Sequence, residues 1–359
     1  MRTRRSGIAV VFALFGIALG ARSWLGAVEA AGGLPATAPA TLMETGLYAS
    51  PGVIDPRNRP FSPQYPLWTD GAGKRRWIRL PEGSKVDAAD VHEWEFPAGT
   101  KVWKEFSFAG RKVETRLLWK AGADSWVFAS YAWNAEGTEA TLAPADGLMR
   151  VAEVAPNRFH NIPAVDQCRA CHVSNRTELL GFNALQLSTD RDPHALHAEP
   201  LEPGMITLGT LVAEGRLAPP RPELVASPPR IAARSADERA LLGYLAGNCG
   251  ACHNRQSDLA PLGLYWKHGD MATLGADALV ALASHRTKWQ VPGAPDGESV
   301  VIDLAHPEQS ALLRRMRSRS PASQMPPMGT VVQDREAVAL VSRWLASQRP
   351  SPASREHGR

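Results

Sequence analysis

The hydrophobic rhythm of the chain changes near its middle. Up to about residue 157 the pattern is that of strands. Residues 101–108 (KVWKEFSF) and 112–120 (KVETRLLWK) are strand-like runs separated by Ala109-Gly110-Arg111, a hairpin signal. Residues 125–134 (SWVFASYAWN) form a third run, in which Trp126, Phe128 and Ser130 alternate with Val127, Ala129 and Tyr131. Both of its faces are fairly apolar, which predicts a central strand of a sandwich. Residues 75–80 predict a further strand. Beyond residue 157 the spacing becomes helical. A helix is predicted over 179–187, and the five prolines within 219–229 predict an extended connector. Ser235-Ala236-Asp237-Glu238 fits a capping box, and Leu241, Leu242 and Leu245 give the helix behind it an apolar stripe. Further helices are predicted over 310–317 and from Asp334 onward, where Val338, Val341, Trp344 and Leu345 recur at helical spacing.

Composition adds bounds to this picture. The 359 residues, 44% of them hydrophobic, suffice for two or three domains. Seven of the eleven tryptophans fall between Trp68 and Trp133. Such rings bury much area, which predicts a small β core in preference to a sugar-binding surface. The formal charge is +4, and no basic stretch is interleaved with aromatics, so nucleic acid is not an expected partner. Arg2, Arg4 and Arg5 precede an apolar stretch, GIAVVFALFGIALG, of fourteen residues. That is short for a membrane span of about 20 residues. With Val28-Glu29-Ala30 as a cleavage site, residues 1–30 read as a secretory signal peptide, which predicts a periplasmic protein. An uncleaved inner-membrane anchor is the alternative. Residues 31–45 read as a linker and 349–359 as a disordered tail.

The candidate chemistry lies in one pentapeptide that occurs twice and contains every cysteine of the chain. The copies are Cys168-Arg169-Ala170-Cys171-His172 and Cys249-Gly250-Ala251-Cys252-His253. Cys-x-x-Cys-His is the attachment signature of c-type haem: two thiols form thioethers and the histidine ligates the iron. Two covalently attached haem c groups are therefore expected, with His172 and His253 as iron ligands. Export agrees with this, because haem c is attached outside the cytoplasmic membrane. A zinc site of four thiolates is a weaker reading. The pairs lie 77 residues apart, against a spacing of roughly 15–20 in zinc sites, and neither needs its trailing histidine. Candidates for the far side of the first haem are Met205, His160, His194, His197 and Met149, or an open position. The second motif is followed after 72 residues by Met325-Pro326-Pro327-Met328, where a thioether ligand would raise the potential.

Ser323-Gln324-Met325-Pro326-Pro327 and the helix ending Arg343-Trp344-Leu345 resemble the distal half of class I cytochromes c. That resemblance implies Met325 as the sixth ligand, with Met328 the runner-up. It also implies that Tyr244 or Leu245 meets Val341 or Trp344 where the first and last helices cross. Residues 48–348 as a whole resemble a bacterial family of dihaem c-type cytochromes with an N-terminal β domain. The family is similar to the cytochrome extension of propeller proteins related to PQQ-dependent sugar dehydrogenases. The resemblance is carried by Tyr65-Pro66-Leu67-Trp68-Thr69-Asp70-Gly71, Lys74-Arg75-Arg76-Trp77-Ile78, Glu95-Phe96-Pro97-Ala98-Gly99-Thr100, Leu180-Gly181-Phe182-Asn183-Ala184-Leu185-Gln186-Leu187 and the Met-Pro-Pro loop.

The expected fold is multidomain α+β. A β-sandwich-like domain spans 46–157, a first haem segment with its proline-rich connector 158–230, and an all-α class I cytochrome c-like domain 231–348. The expected function is single-electron transfer between a donor dehydrogenase and a respiratory acceptor, a cytochrome or an oxidase, with no catalytic residues. A dihaem peroxidase would need one open haem and an acid–base residue above it. The β domain of over 100 residues ahead of the first motif does not fit that layout. A haem-based sensor is the remaining alternative.

Overall fold

The structure is a computed structural model that describes residues 37–283 and 285–348. The signal segment over 1–30, the linker up to residue 36 and the tail over 349–359 lie outside the described residues. In chain order the first half contains β1 (Tyr48–Ser50), β2 (Val53–Ile54), β3 (Arg59–Pro60), β4 (Gly73–Arg79) and β5 (Val86–Asp87). The long strands β6 (Lys101–Phe108), β7 (Arg111–Lys120) and β8 (Trp126–Trp133) follow, then β9 (Ala140–Leu142). A six-stranded sheet runs β3-β4-β6-β7-β8-β9, antiparallel at every pair. The turn from β6 to β7 falls on Ala109 and Gly110, both at positive φ (49° and 79°), as a two-residue hairpin loop requires.

Successive residues of a strand point to opposite faces, and the two faces of this sheet differ. On one, Trp77, Trp103, Leu117 and Ala129 form a row across four strands. Leu42, Leu47 and Tyr131 join them in an apolar core. On the other, the row Ile78, Val102, Leu118 and Phe128 is followed by the row Arg76, Lys104, Arg116 and Ser130. Ile78 and Val102 belong to a second core with Phe61, Trp94 and Phe182.

Two expectations are corrected here. The second layer over the sheet is made of loops and short elements, so the described residues do not form a sandwich of two long sheets. β8 is not central: it lies fifth of six, between β7 and the short β9. Its apolar faces are explained by the segments packed over them. Of the seven tryptophans in this region, Trp68, Trp77, Trp94 and Trp103 are buried, which places them in cores.

A separate hairpin of β10 (Leu148–Ala155) and β11 (Arg158–Ile162) leads into α1 (Val165–His172). No helix forms over 179–187. Leu179, Phe182, Ala184, Leu185 and Leu187 are all buried, so there is no single apolar stripe. The Asn183 amide instead donates to the His92 carbonyl (2.8 Å) and accepts from the Gln186 N–H (3.0 Å), fixing a turn. Next come α2 (Leu208–Ala213), β12 (Leu217–Ala218) and α3 (Glu223–Ala226). β12 pairs in parallel with β5, and α3 is a one-turn helix inside the proline-rich connector.

The last part contains α4 (Ala236–Asn248), α5 (His268–Ala272), α6 (Ala278–Ala281), α7 (Ala311–Arg317) and α8 (Arg335–Ser347). Ser235 Oγ caps α4 by accepting from the Glu238 N–H at 3.1 Å, and Asp334 caps α8 through the Ala337 N–H at 3.0 Å. α4 packs on α8, and Tyr244, Leu245, Val341 and Trp344 share one core.

The expectation of an all-α class I cytochrome c-like domain is nevertheless overturned, and the fold is mixed. The eight α-helices among the described residues are short, the longest having 13 residues. The chain between α4 and α7 is mostly turns, with a β-bridge from Arg286 to Val300. Pro261, Gly263, Pro292, Gly293, Pro295 and Gly297 interrupt helix there. The core beneath these helices also takes in Tyr65, Trp68 and Leu185 from earlier in the chain. Gly243 and Gly247 of α4 make room for this. A Cβ at either would lie 2.0 Å from a Tyr65 ring carbon or 2.5 Å from the Tyr65 carbonyl oxygen. Among the described residues no helix is long and apolar enough to cross a membrane.

Candidate functional site

The fold brings the two Cys-x-x-Cys-His turns together. α1 carries Cys168, Cys171 and His172. The spacing of three places both thiols on one side of the helix. The helix starts where the Val165 N–H meets the Ala145 carbonyl (2.8 Å), and Gln167 accepts from the Ala164 N–H (3.1 Å). The second turn closes α4. The Cys249 N–H donates to the Leu245 carbonyl (2.8 Å), and the His253 N–H donates to the Cys249 carbonyl (2.9 Å). Cys171 Sγ and Cys252 Sγ lie 3.8 Å apart.

Polar side chains fasten the junction. The Asn175 amide donates to the carbonyls of Cys171 (2.8 Å) and Ala251 (3.1 Å), one from each turn. The Asn254 amide donates to Gly250 and Ala251, both at 3.0 Å. Lys267 Nζ donates to Asn175 Oδ1 (3.0 Å) and to the Glu93 carboxylate.

All four thiols are free and half-buried. A hydrogen shared between Cys171 and Cys252 raises the first and draws the second down to about 7. Burial raises Cys168, and it pushes Cys249 up to about 12. Neither histidine is placed to carry a proton at neutral pH. Burial brings His172 down to about 4 against the pull of the Glu178 carbonyl, with Lys104 and Arg116 adding to the fall. His172 Nδ1 is bonded to that carbonyl, so the ring donates through Nδ1 and keeps its lone pair on Nε2. Burial and then Arg315 lower His253. Its Nδ1 is buried without a hydrogen bond of ordinary geometry.

Two free thiols beside a neutral imidazole, twice over, is a donor set that fits haem c. Among the described residues no three His, Cys, Asp or Glu side chains converge as a metal cluster would need. That geometry does not assemble the four thiolates around one zinc ion.

The other predicted residues lie as follows. Met325 is half-buried in the loop between α7 and α8, its N–H on the Arg315 carbonyl (3.0 Å). It lines a small cleft with Trp68, Tyr244, Met316, Arg319 and Asp334, and no residue of the second motif lines that cleft. Met328 is exposed. His160 is buried, with Nε2 held by Glu114 at 3.1 Å and its ring 5.0 Å from that of Phe108. His197 pairs with Asp334 (2.9 Å) beside Trp68. Met205 accepts from the Glu202 N–H (3.4 Å), and His194 and Met149 are exposed. Among the described residues, no hydrogen bond, ion pair or ring contact joins any of these to His172.

The residues that do surround the first motif were not found from the sequence. Phe128 lies 5.5 Å from the His172 ring, centroid to centroid, and α1 packs on β8. Beyond Phe128 stand Arg116 and Glu114, paired at 2.7 Å, and Lys104. Burial opposes ionisation of Glu114, but Arg116 and His160 outweigh it and hold the carboxyl at about 2. The available signal was the spacing of Lys74 with Arg76 and of Glu114 with Arg116, two apart, together with Lys104, on strands whose other face is tryptophan-rich. Comparison of the chain with protein-family models, with curated proteins and with solved structures finds no match.

Proposed function

We propose that the chain is an exported, periplasmic dihaem c-type cytochrome that passes single electrons from a donor dehydrogenase to a respiratory acceptor. Cys168 and Cys171 would hold one haem and Cys249 and Cys252 the other, with His172, His253 and Met325 as iron ligands. When bound, each haem supplies a one-electron Fe(III)/Fe(II) couple. The chain's own residues fix, bury and electrostatically tune the two sites. The observation that carries this reading is the approach of Cys171 and Cys252 Sγ to 3.8 Å. Two attachment turns far apart in sequence are packed side by side, with the Asn175 amide bonded to both. Such a junction suits electron passage between the two sites. The test is intact mass and pyridine haemochrome titration of protein made with the haem-attachment machinery. Two covalent haems per chain are expected. One haem or none contradicts the reading, and rapid peroxide consumption at a cyanide-sensitive high-spin iron would make the protein a peroxidase instead.

A further inference from the structure

The inner face of the six-stranded sheet carries more cations than its carboxylates can balance. Arg76, Lys104 and Arg116 pair directly across β4, β6 and β7, and Lys74 stands in the next row opposite Phe106. Adjacent strands are about 4.8 Å apart, so like charges side by side destabilise the sheet unless something neutralises them. Two carboxylates, one on this face and one reaching it from a later segment, do so in part. Glu114 is shared by Arg116 (2.7 Å) and His160 (3.1 Å), and Glu199 takes Arg76 (3.1 Å). Asp70 stands near Lys74, but its carboxylate accepts from the N–H groups of Val331 (2.8 Å) and Val332 (3.0 Å).

These carboxylates do not satisfy every donor on the face. Among the described residues Lys104 makes no ion pair, its Nζ resting 4.9 Å from the centre of the Phe106 ring. Lys74 is buried and donates only to the Ala72 carbonyl, at 3.2 Å. Arg76 is 6% exposed, and its Nη2 is buried with no hydrogen bond. Leaving a charged donor unpaired in the interior costs more than an ordinary lost hydrogen bond. Four cations against Glu114, Glu199 and the nearby Asp70 leave positive charge over, so the missing partner is an anion.

The place of this surplus points to its partner. Ser130 faces Arg116 across β7 and β8, and Phe128, two residues before it, lies against His172. The row of cations therefore begins one strand-pair step from the first haem-attachment turn. We propose that Lys74, Arg76, Lys104 and Arg116 seat the two propionate carboxylates of the haem held at Cys168, Cys171 and His172. This rests on the dihaem reading above. The cations orient that haem against the sheet and satisfy the buried donors. As fixed positive charges they also favour the reduced iron.

The test is potentiometric titration of holoprotein already shown to carry two haems, with Lys104→Gln and Arg76→Gln compared with the unaltered chain. Each loss of charge should shift one haem's equilibrium at least tenfold toward the oxidised form, about 59 mV for one electron. Arg75→Gln removes the same charge from the opposite face of β4 and should leave both potentials in place. Unchanged potentials in Lys104→Gln and Arg76→Gln, with haem content intact, overturn the proposal and leave the dihaem reading standing. Absence of haem from the unaltered protein overturns both. If the glutamine variants do not fold, Lys104→Arg keeps the charge but alters the hydrogen bond. The propionate-bending band in its resonance Raman spectrum should move from that of the unaltered protein, and an unmoved band rejects the seat.

Discussion

The turn at residues 168–172 ends a short helix laid against a sheet, where Phe128 meets His172 and the next row presents Arg116 and Lys104. The turn at 249–253 ends α4 beside an apolar core of Leu241, Leu245, Leu313 and Trp344. The same pentapeptide is thus housed in a charged bed and in an apolar one. Attachment needs only two thiols and a histidine at local spacing. On the dihaem reading proposed above, what a bound haem would experience is set by elements distant in sequence. The two sites are therefore expected to respond separately to changes in their own surroundings.

Four substitutions probe that separation. Trp344→Ala empties the core behind the second turn. A buried tryptophan truncated to alanine costs about 3–5 kcal/mol, read as a fall in urea midpoint, and the loss should centre on the α4–α8 region. Glu114→Gln acts on the first region. The folded carboxyl sits at about 2 against an ordinary 4.5. Its contribution is therefore fully present above pH 4.5 and is lost as pH falls toward 2. The gap corresponds to stability on the order of 3 kcal/mol. In urea titrations, wild type and Glu114→Gln should differ most at neutral pH and converge by about pH 2. A difference independent of pH would remove the ion pair from the account. Gly247→Val drives a side chain into the Tyr65 carbonyl, with a Cβ contact of 2.5 Å. Overpacking of this kind costs about 1–3 kcal/mol, measured as a lower melting temperature. Lys267→Met frees both Asn175 and the Glu93 carboxylate at the junction of the two turns, and the lost charged donor should cost about 2 kcal/mol. Hydrogen exchange should quicken in both turns together, and quickening in one alone would mean that the junction does not couple them.

Strand content was legible in the sequence because β6 is a local pattern closed by Ala109-Gly110, and its bounds match the run 101–108. The cap at Ser235 and the start of α8 near Asp334 were legible for the same reason. The segment 179–187 was misread because its apolar residues are buried on all sides, which removes the periodicity that separates helix from turn. The all-α domain was misread because local helix signals at α4, α7 and α8 carry no information on the glycine- and proline-interrupted chain between them, nor on Tyr65 and Trp68 entering the core. Of the candidate site, the cysteines and histidines were legible in the pentapeptides. Their side-by-side packing and the bed of Arg76, Lys104 and Arg116 depend on strand register and on contacts across most of the chain, which no single stretch records.

Spectroelectrochemical titration of the purified holoprotein tests the central claim most directly. Two reversible one-electron steps per chain are predicted, each with a c-type absorption change and each shifted by substitutions in its own region only. A single one-electron step, or a protein with no reducible chromophore, would contradict the account.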